Sequence, residues 1–461
     1  MLKGLKNRAY VLAAVMSCNL AAFAVGLTIT WTSPVFPKMN NSTGNLDENP
    51  FDAPTTTEEQ SWIAALLSCG AIFGPFIVGL LADRIGRKWT LVYACGIPLT
   101  AAFLITAFAK TPVLYYVARF LGGLGVGVVF GALPMYIGEI SETSIRGTLT
   151  SFINIFMVGG ELLCYAVGPY TSVMWFSIIC AVFPALFVIL FSFFPDSPQY
   201  FILKNNIPAA ESSLAKLRGT DVGGIKKEFA TIKENVETEM KNRGTIMDVI
   251  KNRGSRKALL ICSGLAGIQQ LSGIKIVLTY TTDIFNASGS SLNSDISSLI
   301  VGLVQFASGF STPVLVDRLG RKMLLLISAV GMVISEVPLG LYFYLKENNY
   351  NVSYIDWLPI VCMIVYIITY NFGFGPLPLG LMGEVFSADV KAAASTVAAS
   401  FNAFMAFIVV KAFSNLQDAV GPGVTYWIFS FFSFLGIIFT LLFVVETKGK
   451  TFAEIQERLN R

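Results

Sequence analysis

One feature constrains this chain before any other: a succession of apolar stretches about 20 residues long, the length a helix needs to cross the hydrocarbon of a bilayer. They fall near residues 9–31, 59–81, 88–109, 112–138, 146–168 and 171–194, and again near 257–281, 295–316, 323–345, 357–383, 392–416 and 422–445. In hydrocarbon a single run of this length can satisfy its backbone amides only as a helix. The sequence therefore predicts an all-α membrane protein, with twelve transmembrane helices in two six-helix bundles at 1–194 and 257–446. Between them lies a polar linker, 195–256, in which IPAAESSLAKL and IKKEFATIKENVETEM have the spacing of short surface helices. A tail at 447–461 opens on TFAE, the pattern of a capping box, and reads as one more such helix. Composition agrees, since 13% charged residues is far below the roughly 25% of soluble domains.

Orientation follows from lysine and arginine. With the N-terminus in the cytoplasm, most of the 33 basic residues fall on that side, twelve of them in the linker and at Lys257 just after it. The glycosylation sequons at Asn40, Asn41, Asn286 and Asn351 then all fall outside. The first run is too long for a signal-peptide core and reads as a retained span.

The same residues exclude several function classes. The chain has no histidine, and its seven cysteines sit in apolar runs without a CxxC pair, so neither a metal site nor a disulfide framework is expected. No phosphate-binding GxxxxGK[ST] pattern is present, which argues against an ATP-driven pump. No basic cluster is interleaved with aromatics, which argues against nucleic acid as a partner. With no nucleophile elbow either, an enzyme and a cofactor are not expected. The partners that remain are the bilayer and a small solute, with the monomer as the working unit.

The chain repeats itself. DRIGRK at 83–88 recurs as DRLGRK at 317–322; Glu139 and Arg146, seven apart, recur as Glu384 and Lys391; PDSPQ at 195–199 recurs loosely as VETKG at 445–449. A duplicated six-span unit marks a rocking secondary transporter whose solute site lies between the halves. Each half should then carry a cytoplasmic ion-pair gate: Asp83, Arg84, Arg87, Glu139, Arg146 and Asp196 in the first, Asp317, Arg318, Arg321, Glu384, Lys391 and Glu446 in the second. Asp83 is expected to cap span 3 and to accept from arginines, while Arg87 and Arg146 present fork donors to Glu139 or Asp196. The plainer alternative is that these basic residues only hold the loops inside. Gly123, Gly127 and Gly131, four apart in span 4, point to close helix packing.

These motifs carry a resemblance. Gly79-xxx-Asp83-Arg84-x-Gly86-Arg87-Lys88, Pro134-Met-Tyr-x-Gly-Glu139, Arg146-Gly147, Pro195-Asp-Ser-Pro198, Gln269-Gln270-x-Ser272-Gly273 and Glu446-Thr-Lys-Gly449 resemble the sugar-porter family of the major facilitator superfamily, from the first span to the tail. The look is closest to the facilitative glucose transporters and the insect trehalose-transporter branch. The resemblance implies alternating access for a mono- or disaccharide, with sugar hydroxyls bound by neutral amides. Transferred by position, those amides are Gln269, Gln270, Asn154, Gln305 and Asn402. The outer gate is Thr279 and Tyr280, and the broken helix of span 10 is Gly375-Pro376-Leu377-Pro378. Departures are Lys275 where the family has Asn, Leu379 where a sugar-stacking Trp is usual, and Ala403 where Trp is common.

Charges inside spans are paired or functional by default. Glu161 lies two helical turns after Asn154 and so shares its face. At 1.5 Å per residue it sits about 12 Å from the outer end of its span, and Lys275 about 9 Å. Three arrangements stay open: a Glu161–Lys275 pair across the cavity, a Glu161–Arg119 pair within one half, or solvated charges. Proton-coupled relatives carry an Asp beside the equivalent of Arg119, where this chain has Thr28. Glu336 and Lys411 have no evident partner. The expected function is a plasma-membrane uniporter of a sugar such as trehalose or a hexose. The rivals are a proton-coupled or charged-solute porter using Glu161 and Lys275, and a non-transporting sugar sensor, which the short stretch after Thr447 disfavours.

Overall fold

The computed structural model describes residues 2–40, 50–51, 53–241, 244–289, 292–310, 315, 318–450 and 452–460. The first half comprises α1 (Ala9–Met39), α2 (Thr57–Ile85), α3 (Arg87–Phe108), α4 (Pro112–Ile140), α5 (Arg146–Tyr170) and α6 (Val173–Phe191). Four short helices follow: α7 (Pro198–Leu203), α8 (Ile207–Arg218), α9 (Val222–Lys241) and α10 (Ile246–Lys251). The second half comprises α11 (Arg253–Ser288), α12 (Ser294–Gly309), α13 (Arg321–Glu347), α14 (Ser353–Val385) and α15 (Asp389–Phe443), with α16 (Phe452–Asn460) at the tail. No strand occurs among the described residues.

Ten of these helices are long and apolar enough to cross a membrane, against twelve apolar runs in the sequence. The difference has two local causes. The runs near 392–416 and 422–445 form one element, α15, whose arms meet at Gly421 (φ 81°, ψ 161°) followed by Pro422. The run near 295–316 yields the sixteen residues of α12, and most of its continuation, with Asp317, lies outside the described residues, as do Asn41 and Thr451.

Packing in the first half turns on glycine. A methyl group on Gly70 or Gly74 of α2 would strike the backbone of α4, and one on Gly123 or Gly127 would strike the backbone of α2, so the two helices touch main chain to main chain. Gly131 lies one turn on, against the Val78 side chain. In the second half, two helices are broken where polar residues gather. α11 is interrupted at Ser272 and Gly273, the latter at φ 82°, and α14 between Phe372 and Leu377. Broken helices free backbone carbonyls at mid-membrane, which is tolerated only where they line protein or a cavity.

The short helices gather at one end of the bundle, called here the linker face. Ile202, Ala210, Leu214, Ile225 and Phe229 give α7, α8 and α9 a small core of their own. Arg218 ties α8 to the end of α4 by donating to the Ile140 carbonyl at 2.8 Å, and Gln456 ties α16 to Val385 at 2.6 Å.

Candidate functional site

The two breaks face each other. Gln269, just before the α11 break, donates through Nε2 to the Phe374 carbonyl (2.6 Å), the Gly375 carbonyl (3.0 Å) and the Tyr370 hydroxyl (3.0 Å), so the carbonyls freed at Gly375-Pro376 are taken up by one amide. Pro376 and Pro378 restart the helix beyond the break. The Gln269 Oε1 accepts from Asn402 of α15 at 2.8 Å, and Gln270 donates to the Asn402 Oδ1 at 3.1 Å. Three amides from two helices thus form one cluster over the break of a third. Its Gln270 Oε1 is buried without a donor among the described residues. Leaving such an acceptor unbonded costs about 1–3 kcal/mol, which a hydroxyl-bearing solute would offset.

A second group crosses between the halves. Gln305 of α12 donates to the Glu161 Oε2 of α5 at 2.6 Å, while its own Oε1 lacks a donor. Asn154 lies lower on α5 beside Gly309, where a methyl group would meet its Nδ2 at 3.3 Å. Lys275 makes no hydrogen bond or ion pair among the described residues; the charges acting on it are Glu161, attractive, and Arg119, repulsive. Arg119 is held otherwise, donating to the carbonyls of Ile63 (3.0 Å) and Thr28 (2.6 Å) near the Trp31 ring. Glu161 therefore accepts from an amide across the interface and reaches neither cation at ion-pair distance.

At the end opposite the linker face the halves are closed on each other. Thr32 donates to the Thr279 carbonyl at 3.3 Å, and Ser33 and Thr282 share a hydrogen bond at 3.1 Å. Tyr280 is wedged between Phe36 and Phe413, ring centroids 5.3 and 5.2 Å away. Lys411 pairs with Glu58 at 2.6 Å and lies over Trp62. Tyr165 joins Thr281 just below, at 3.0 Å. Asn40, Asn286 and Asn351 are exposed, and the Asn40 side chain engages Gln60.

At the linker face the charge sets form within each half. Arg87 donates to Glu139 (3.0 Å) and Asp83 (3.1 Å), while Ser197 donates to Glu139. Asp196, not Asp83, caps α3: its Oδ1 accepts from the backbone of Arg87 and Lys88, both at 3.2 Å. In the second half Arg321 donates to Glu384 at 2.8 Å, Thr447 to the same carboxylate, and Glu446 caps α13 by accepting from the backbone of Arg321 and Lys322, both at 3.0 Å. Arg146 and Lys391 are exposed and neither pairs with these carboxylates; the Lys391 ammonium donates instead to the Gly383 carbonyl at 3.2 Å, beside Glu384. Arg84 and Arg318 are exposed too and contribute backbone carbonyls, to Tyr200 and Lys448. Burial pushes the Asp196 carboxyl above its ordinary range. For Glu446, burial acts upward but is outweighed by backbone N–H donors led by Lys448, and the carboxyl falls below its ordinary range.

Tyr370 and Asn371 join these polar groups, and sequence reasoning passed over both. Asn371 donates to Ser308 of α12 at 2.7 Å. Their signal was a phenol and an amide within an apolar run, just ahead of Gly375.

A family profile described as "Sugar (and other) transporter" matches residues 13–459. The facilitated trehalose transporter Tret1 of Bombyx mori is 34% identical over 448 residues, covering 97% of this chain and 86% of the relative. The Tret1 of Polypedilum vanderplanki is 34% identical over 451 residues, covering 97% and 87%. Among solved structures, the partially occluded inward open conformation of the xylose transporter XylE from E. coli aligns with a TM-score of 0.79 at 23% identity, over 96% of this chain and all of that one.

Proposed function

The chain belongs to the sugar transporter family and is a membrane-embedded sugar porter of the major facilitator fold, and from that premise we propose how it works. The solute is trehalose or a hexose, held by Gln269, Gln270, Gln305 and Asn402 from the second half and by Asn154 and Glu161 from the first. The observation that carries this reading is the pair of buried amide oxygens without donors, Gln270 Oε1 and Gln305 Oε1. Sugar hydroxyls are the donors that would complete them.

The linker face is the cytoplasmic side, as the weight of basic residues there supports, and the protein is a monomeric porter of the plasma membrane. The contacts of Thr279, Tyr280 and Lys411 then close the outer gate, so this is the state from which solute leaves inward. The Arg87–Glu139 and Arg321–Glu384 sets hold each half together at its cytoplasmic end while the halves rock against each other. Transport is downhill, because Arg119 has Thr28 beside it and no carboxylate partner among the described residues. A second reading, a proton-coupled or charged-solute porter, is favoured by one observation: Lys275 is without a partner of its own among the described residues.

Tracer uptake into proteoliposomes of the purified chain tests both. Saturable uptake of trehalose or glucose, unchanged by an inward proton gradient, is the expected result. Uptake that requires the gradient would replace the first reading with the second.

A further inference from the structure

The second half holds another polar feature away from the amide cluster. Glu336, midway along α13, is only 3% exposed. Among the described residues neither of its carboxyl oxygens has a partner at hydrogen-bond distance, and the Ser433 hydroxyl, facing it from α15, acts on it at longer range. Glu336 lines a cavity enclosed by α11, α13, α14 and α15. The titratable groups facing it are the Cys362 thiol and Tyr366 phenol of α14 and the Tyr426 phenol of α15. From α11 comes the Ser272 hydroxyl, from its own helix that of Ser335, and no lysine or arginine among the described residues lines the space. An unpaired carboxylate in apolar surroundings is so costly that the group neutralises instead.

We propose that Glu336 is a proton-binding site, separate from the sugar site, whose occupancy is read by the break in α11. The cavity reaches that break directly. Tyr366 donates to the Ser272 carbonyl at 2.8 Å, and its ring stacks on Tyr370 (6.2 Å, 14°), whose hydroxyl accepts from Gln269 at 3.0 Å. With the proton bound, the carboxyl O–H donates toward the Ser433 hydroxyl and Tyr366 stays on Ser272. When the proton leaves for water, one per carboxyl, a full negative charge faces the Tyr366 phenol. Its O–H turns to the carboxylate, the Ser272 carbonyl loses its donor, and the ring that positions Gln269 shifts. Sugar affinity therefore weakens as pH rises through the titration of Glu336. This last step rests on the sugar-porter reading; the proton site itself does not.

The test is an infrared pH titration of the full chain in liposomes, with Glu336→Gln alongside. The expected result is a protonated-carboxyl band that fades as pH rises and is missing from the variant, with calorimetric sugar affinity falling over the same range in the wild type and flat in E336Q. An identical band in both proteins overturns the proposal. So does a band that moves when sodium or potassium replaces choline, which would assign the cavity to a metal cation. Should E336Q fail to fold, Ser433→Ala must shift the band, and an unshifted band is equally fatal. A wild type that binds no sugar at any pH would sink the sugar reading and leave the infrared arm to decide the proton site alone.

Discussion

Arg87 and Arg321 occupy corresponding places in the two halves, yet one is sealed and the other partly wet. Side-chain exposures are 7% and 10% for the Arg87–Glu139 pair but 18% and 32% for Arg321–Glu384. The caps differ in the same sense. Asp196, one methylene shorter, bonds both helix-start amides through a single oxygen and leaves Oδ2 buried without a partner, whereas Glu446 engages both of its oxygens. Both approach their helix over a glycine: a methyl group on Gly86 would strike the Asp196 carboxylate, and one on Gly320 would come within 2.7 Å of that of Glu446. Duplication has kept the hydrogen-bond plan while burial has been free to drift, so equivalent substitutions should not cost the same.

The largest expected effect is that of Glu139→Gln. Removing one partner of a buried pair leaves the Arg87 charge to the wetter Asp83, at a cost of about 3 kcal/mol, while Glu384→Gln at the wetter pair should cost about 1 kcal/mol. Thermal unfolding of both variants in one detergent measures the gap, and equal losses would break the comparison.

The caps should differ in their response to pH. Glu446 lies below its ordinary range when folded, so its stabilisation is present above the ordinary carboxylate pKa and is lost as pH falls through the lowered value. Glu446→Gln should therefore cost about 1–2 kcal/mol at neutral pH and little in acid. Asp196 is raised, so its contribution is full below the ordinary value and is lost as pH climbs through the raised one. Asp196→Asn should cost least at neutral pH, the opposite trend, and stability curves of the two variants against pH would show whether the slopes differ in sign.

The smallest effect separates the hydroxyls. Ser197→Ala should cost about 1 kcal/mol, because Ser197 also accepts from the Gln199 backbone, and Thr447→Ala about half as much. Unfolding midpoints that reverse this order would show that the second set is the tighter one.

Much of this plan was legible in the sequence, because repeated polar residues at helix ends have few partners to choose from. DRxGRK with Glu139 and Glu384 announced both charge sets. The seven-residue spacing to Arg146 and Lys391 misled, since it counts across the turn that ends the helix, and Asp83 was credited with a cap that Asp196 supplies from more than a hundred residues away. Gln269, Gln270 and Asn402 were found by resemblance. Their convergence on the carbonyls freed at Gly375 was not readable, because it depends on how two broken helices meet. The partner of Glu161 was also beyond reach, since face and depth along α5 do not specify which residue of the other half stands opposite.

Calorimetric titration of the purified chain with trehalose and with glucose, in wild type and Gln270→Leu, tests the central claim that this amide cluster holds the sugar. Loss of a buried hydrogen bond should weaken binding about ten- to a hundredfold. Unchanged affinity in the variant would contradict the account.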